Sequence, residues 1–328
     1  MTALASPPPV RRRPLVLQRS LATCVCVIGL AATVLVARRI TRTSWPLAGA
    51  QVELVLGAGG AYFASFVFRA LGWQRLFPPA SRPDRSRCLA ACGAAAASGT
   101  ILPFRLDYLV KVATLRRLGG VRVGLEAIVL SILALGLVDA VAMLPLAVAA
   151  FITSGAIFRA PLTVVVLFCL GCIAVLTFGP RIARLPLLAR SSRLQGICER
   201  VGGCAARTGS TFAAGGFLLC CWLMRALGNT FLLWALGVGF SPTFALVVLC
   251  LAAAAAILPI TAGGAIASIG ATSGILVALG VPTRAAVNFS LASGLLLTST
   301  ALVAAVIGVS GSVIFALGRR RLVRLDPR

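Results

Sequence analysis

An arginine in the middle of a long apolar run is the first candidate for chemistry in this chain. Trp222 precedes Arg225 by three positions and Asn229 follows it by four, so the three side chains share one helix face. An arginine at bilayer depth costs about 2.5–3.5 kcal/mol on insertion scales, and such groups face a partner or a wet cavity. Asp139 is the acidic residue at comparable depth in another run. We expect an Asp139–Arg225 ion pair joining two helices, a polar cavity where Arg225 meets an anionic substrate, or both.

A second group of polar residues follows Pro103. Asp107 and Lys111, the only lysine of the chain, are one helical turn apart and can pair. Arg105 would then be free to bind a phosphate through two parallel hydrogen bonds. The alternative is an ordinary interfacial helix with snorkelling cations, and the residues alone favour that alternative.

Several kinds of chemistry are excluded by composition. The chain has no histidine, which removes histidine metal sites, Ser-His-Asp triads and histidine proton relays. Cys169 and Cys172 form a CxxC, but they lie in the apolar run 162–178, where cysteine behaves as a small hydrophobe. No carboxylates are clustered as an acid–base couple. We therefore expect no enzymatic activity, no cofactor and no metal site.

The elements that position these residues are predicted to cross a membrane. Of the 328 residues, 59% are hydrophobic and 12% are charged, a composition that a soluble domain could not bury. The net charge of +24 at first suggests a nucleic-acid-binding protein. The arginines, however, lie at the ends of apolar runs, where they set orientation and attract anionic lipid. We expect no nucleic-acid partner.

The sequence predicts an all-α, polytopic helical membrane protein with about six full spans. These spans are residues 21–37, 51–67, 123–152, 161–178, 210–240 and 284–317. The arginine-rich segments 69–87, 105–122 and 181–207 and both termini are predicted to be cytoplasmic. The expected location is the cell membrane.

Two segments are predicted to be re-entrant hairpins that enter from opposite faces. Segment 88–104 is short for a span, and an amphipathic interfacial helix is expected over 105–122. Segment 243–281 is interrupted by a turn. Pro103 marks the first hairpin, and the turn of the second contains Pro259, Thr261, Gly263 and Gly264. Opposed hairpins suit an inverted repeat with a midplane site, although either could instead be a pair of short spans.

One integral membrane domain is expected over residues 21–318. A disordered basic tail precedes it at 1–20, and a basic cytoplasmic tail follows at 319–328. The run 21–37 follows three arginines, as in a signal sequence, but no convincing small-x-small site follows it in a polar context. We therefore expect an uncleaved first span.

The chain resembles the transmembrane region of lysylphosphatidylglycerol synthases, the flippase-like integral membrane proteins, over about residues 50–318. The matching residues are Pro103, Arg105, Leu106, Lys111, Asp139, Pro259, Thr261, Gly263, Gly264, Gly280, Val281, Pro282 and Ala286. Asp107 and Tyr108 replace the family's glycine and glutamate, and Ala262 replaces its second proline. The soluble aminoacyl-transferase domain of the full synthases has no counterpart, so the resemblance does not imply lipid aminoacylation.

The resemblance implies movement of an anionic phospholipid, or of a polyprenyl-phosphate-linked lipid, between leaflets. The expected head-group ligands are Arg105, Asp107, Lys111, Arg225 and Asn229. The alternative is a non-catalytic scaffold or accessory subunit of a cell-envelope glycosyltransferase or lipid-modifying system. A secondary transporter of a small solute also remains open. The expected partners are membrane lipids, with a second copy of the chain or a cell-envelope enzyme as further candidates.

Overall fold

Helices account for the regular structure of the described chain. A computed structural model describes residues 45–100, 102, 106–119, 124–182, 208–255 and 264–325. Over these residues there are nine α-helices and no strand. Their bounds are α1 Val52–Arg75, α2 Arg85–Gly99, α3 Asp107–Gly119, α4 Leu125–Thr153, α5 Ala156–Ile182, α6 Thr208–Ala235, α7 Pro242–Ala255, α8 Gly264–Ala278 and α9 Thr283–Leu325.

Five of these helices, α1, α4, α5, α6 and α9, are long and apolar enough to cross a membrane. They correspond to five of the six spans that the sequence predicts, and they confirm the all-α class. The sixth span, 21–37, lies outside the described residues, as do the tail 1–20 and the loop 183–207. The main difference lies in α1, which continues to Arg75 and so brings Arg69 inside the helix rather than into a loop.

Helices α2 and α3 form one antiparallel pair. With 15 and 13 residues, each is about 20 Å long, shorter than the roughly 30 Å of a hydrocarbon core. A Cβ at Gly99 would lie 3.4 Å from the Cβ of Asp107, so the end of α2 meets the start of α3. The prediction of a hairpin within 88–104 beside a separate interfacial helix over 105–122 was therefore wrong in its bounds. Helix α3 is the second arm of the pair, because its inward face, with Leu115 fully buried, packs on the bundle.

Helices α7 and α8 form a second short pair, of 14 and 15 residues. Pro242 takes the first helical position of α7, and Ser241 caps that helix by accepting the Phe244 N–H at 3.3 Å. Helix α8 ends at Ala278 and is followed by Gly280 (φ +86°), after which the Val281 N–H donates back to the Leu276 carbonyl at 3.0 Å. Of the predicted turn residues, Gly264 begins α8, while Pro259, Thr261 and Gly263 lie outside the described residues.

The order of long and short helices repeats within the described chain. Helices α1 to α4 run long, short, short, long, and α6 to α9 do the same, with α5 between the two sets. Helix α1 packs most extensively against its counterpart α6, and α2 packs on α9 as α7 packs on α4. Gly57 lies against Phe231 and Gly72 against Leu218, so α1 and α6 are antiparallel. This reciprocal packing fits the inverted repeat that the sequence suggested.

Glycines bring two of these helices into backbone contact. A Cβ at Gly93 of α2 would lie 2.5 Å from the Ala301 carbonyl oxygen, and one at Gly308 of α9 would lie 2.6 Å from the Ser86 carbonyl oxygen. Real Cβ atoms do not approach that closely, so both positions require glycine. The two contacts fix the first arm of the α2–α3 pair along α9.

Candidate functional site

Four side chains on one face of α1 are central to the candidate site. Tyr62, Phe66, Arg69 and Trp73 follow one another at spacings of four, three and four residues, which places them in one stripe. The three aromatic residues are 3%, 1% and 0% exposed. From Tyr62 to Trp73 the stripe extends about 16 Å along the helix axis, which is half of a bilayer's hydrocarbon thickness. We call these four residues and the side chains they contact the α1 ladder.

An ion pair lies in the middle of the ladder. The Arg69 guanidinium donates to Asp139 Oδ2 at 2.7 Å, and the two side chains are only 24% and 13% exposed. Asp139 thus pairs with Arg69, so the predicted Asp139–Arg225 pair was wrong. The physical reason is the length of α1, since its continuation to Arg75 places Arg69 directly opposite Asp139 of α4. Asp139 Oδ1 is buried without a hydrogen-bond partner among the described residues.

Arg225 lies one turn further along the ladder, between two aromatic rings. Its guanidinium carbon is 5.4 Å from the Trp222 ring centroid and 5.9 Å from that of Phe66. Its Nε is buried, and no described residue accepts its hydrogen. The Trp222 indole N–H donates to the backbone carbonyl of Asp139 at 3.2 Å, which links this position to the ion pair. Ring faces attract the cation, but they do not neutralise its charge.

Asn229 forms the contact at the other end of the ladder. The Tyr62 hydroxyl donates to Asn229 Oδ1 at 2.6 Å, and both residues are buried. Here α1 and α6 approach closely, since a Cβ at Gly228 would lie 2.8 Å from the Tyr62 ring. The predicted ligand Asn229 therefore joins two helices through its carbonyl oxygen.

Lys111 of α3 enters the ladder beside Trp73. Its Nζ lies 4.2 Å from the centroid of the Trp73 ring, and the residue is only 5% exposed. The Trp73 indole N–H in turn donates to Ser131 Oγ at 3.0 Å. Lys111 thus reaches into the bundle rather than snorkelling to an interface. The predicted Asp107–Lys111 pair was also wrong, because Asp107 lies beside Gly99 where α2 and α3 meet.

Only part of this site is predicted by the sequence. The predicted residues Lys111, Asp139, Arg225 and Asn229 lie along the ladder, whereas Arg105 and Pro103 lie outside the described residues. The α1 stripe is not among the predictions, because the predicted loop begins at Arg69. The available signal was the spacing from Tyr62 to Trp73, which continues the helical period of α1 past the arginine.

Charge is unbalanced along the ladder. Arg69, Lys111 and Arg225 contribute three cations, and Asp139 is the only carboxylate of the described chain that is ion-paired to any of them. The described residues contain no group of three histidine, cysteine or acidic side chains able to hold a metal ion. The arrangement is therefore suited to attracting an anion.

A cavity of about 470 Å³ lies at the far end of the α1–α6 interface. Its lining includes Gln51, Trp234, Arg284 and Asn288. Between this cavity and the ladder, Ala58 packs with Leu232 and Leu233 in a buried apolar cluster. The cavity and the ladder thus lie on one interface, separated by about two turns of apolar packing.

Comparisons with known proteins give no match. No protein-family model, curated protein or solved structure matches this chain. The resemblance to the lysylphosphatidylglycerol synthase region therefore stays a prediction, and any function must be argued from the ladder and the helices around it.

Proposed function

We propose that this protein binds the anionic head group of a membrane lipid at the α1 ladder and moves the lipid between leaflets. The observation that supports this proposal is the excess of positive charge at the buried Lys111 and the partly buried Arg69 and Arg225. Uncompensated charge inside an apolar bundle is costly, and an anionic ligand would offset that cost.

The layout along α1 suggests a route for the head group. Polar side chains follow one another from Trp73 to Tyr62, and the cavity beside Gln51 lies further along the same interface. The apolar contacts of Ala58 separate the two, so passage requires α1 and α6 to part there. In this proposal the described state is closed between the ladder and the cavity, and transport alternates which end is open.

The two short helix pairs are proposed as the moving parts. Each helix is too short to cross a bilayer alone, and broken helices at membrane depth are tolerated where they line a polar site. Helix α3 supplies Lys111 directly to the ladder. Insertion of the pairs from opposite faces, with both termini cytoplasmic, is part of the proposal.

The test is lipid movement in proteoliposomes with a fluorescent anionic lipid and an impermeant quencher. We expect the wild-type chain to make inner-leaflet lipid accessible, and Arg225→Gln to slow this at least tenfold, because the head group then loses one of its cations. Arg159→Gln is the matched control, since Arg159 is an exposed arginine on α5. No lipid movement by the folded wild type, or full activity of Arg225→Gln, would contradict the proposal.

A scaffold or accessory subunit remains the second candidate, because α5 lies at the edge of the described bundle. It packs on α4 and α7 and exposes an apolar face that includes Val164, Leu167, Phe168 and Val175. Copurification of a cell-envelope enzyme that is lost on replacing Leu167 and Phe168 by alanine, together with absence of lipid movement, would favour this candidate.

A further inference from the structure

The net charge of the α1 ladder determines which head-group charge would balance it. Asp139 neutralises Arg69 at 2.7 Å, so this pair contributes no net charge. Lys111 and Arg225 remain, and each contacts aromatic rings instead of a carboxylate of the described chain. When Lys111 is protonated, two positive charges are therefore left for a ligand to balance.

The two remaining cations lie on either side of the ion pair. Arg225 is level with Phe66 and Lys111 is level with Trp73, and these ring positions are seven residues apart on one face of α1. That separation is about 10 Å along the helix axis, with Arg69 between them. A head group beside Arg69 would thus have one cation on each side. The two arginines can each donate a pair of parallel hydrogen bonds to a phosphate, whereas the Lys111 ammonium acts as a compact positive charge.

We infer that this site selects lipid head groups with at least two negative charges, namely phosphomonoesters or pyrophosphates, over singly charged phosphodiesters; the inference rests on the proposed function. A phosphodiester leaves one buried cation unbalanced, whereas a phosphomonoester dianion neutralises both. Interactions between charges in a poorly hydrated site are strong enough for this difference to dominate the affinity.

Equilibrium binding to the purified full chain in phosphatidylcholine nanodiscs tests this inference. The probes are phosphatidate, phosphatidylglycerol and phosphatidylcholine with the same fluorescent acyl chain, with farnesyl diphosphate as an unlabelled competitor. At pH 8.5 we expect phosphatidate to bind at least tenfold tighter than phosphatidylglycerol. Competition by farnesyl diphosphate would extend the preference to pyrophosphates, and its absence would restrict it to phosphomonoesters.

The pH dependence of the ligand provides an internal control. A phosphomonoester loses its second proton with a pKa of about 6, so the dianion becomes a monoanion below that pH, whereas a phosphodiester has no such step. The preference for phosphatidate should therefore fall to within about threefold at pH 5, with phosphatidylglycerol binding changing much less. A preference that persists unchanged at pH 5 would overturn the charge-based explanation.

Removal of one cation provides the second control. Lys111→Met should reduce the preference for phosphatidate to within about threefold, and Arg116→Gln, at an exposed arginine of the same helix, should leave it unchanged. Arg225→Gln replaces Lys111→Met if the latter fails to fold. Equal binding of both lipids by wild type at pH 8.5 would overturn the inference, while movement of phosphatidylglycerol in proteoliposomes would still support the proposed function.

Discussion

At the residue scale, the Arg69–Asp139 pair explains how α1 can retain an arginine on its inner face. Both side chains are largely withdrawn from solvent, and the hydrogen bond between them is short. The Trp222 indole also donates to the Asp139 backbone, so α1, α4 and α6 meet at this point. The pair is thus a structural contact within the α1 ladder.

The pair predicts a specific pattern of stability. Asp139→Leu should destabilise the protein by roughly 3–5 kcal/mol, because removing one partner of a buried pair leaves the other charge uncompensated. Arg69→Met together with Asp139→Leu should recover most of this loss. Chemical unfolding in detergent measures both, and a double variant as unstable as the single one would argue against the ion pair.

At the element scale, close helix packing through glycine positions α2 and, through it, Lys111 on α3. Helix α2 contacts α9 at Gly93 and Gly308, and α3 folds back on α2. A change at the α2–α9 contact would therefore shift a ladder residue without touching the ladder.

Gly308→Ala should destabilise the protein by about 1–3 kcal/mol, because the new methyl group meets the backbone of α2. Gly294→Ala is the matched control on the same helix. Its Cβ would meet nothing within 4 Å, and alanine favours the helix by about 0.5–1 kcal/mol. Thermal unfolding in detergent compares the two, and equal effects would show that the α2–α9 contact has no special role.

Element boundaries were predictable where the chain itself marks them. Helix α4 was predicted over 123–152 and runs from Leu125 to Thr153. The continuation of α1 past Arg69 was missed, because Arg69 ends the apolar run and its partner, Asp139, lies 70 residues away. Lys111 was misjudged for a similar reason, since no sequence pattern reveals the Trp73 ring above it.

At the scale of the whole molecule, the number of spans predicts on which side of the membrane each terminus lies. Five described helices are able to span, and residues 21–37 are predicted to supply a sixth. An even number places both termini on the same face, and the arginine-rich ends favour the cytoplasm.

Reporter fusions at each terminus test this arrangement. We expect a fluorescent protein to be active at both ends and a periplasmic phosphatase to be inactive at both. A phosphatase active at the N-terminus alone would mean that 21–37 does not span. A phosphatase active at both ends would reverse the orientation assigned from the arginines.

Within the described residues, helix α5 has no counterpart in the repeated order, and this affects how the two sets of helices can meet. The contacts of Trp73 with Ser131 and of Arg69 with Asp139 make α4 antiparallel to α1, and α6 is antiparallel to α1 as well. Helices α4 and α6 therefore point the same way, and α5 is the described helix that returns the chain between them. This returning helix is what makes the second set of helices antiparallel to the first. If α6 followed α4 directly, α6 would be parallel to α1, and the antiparallel contact of α1 with α6 could not form.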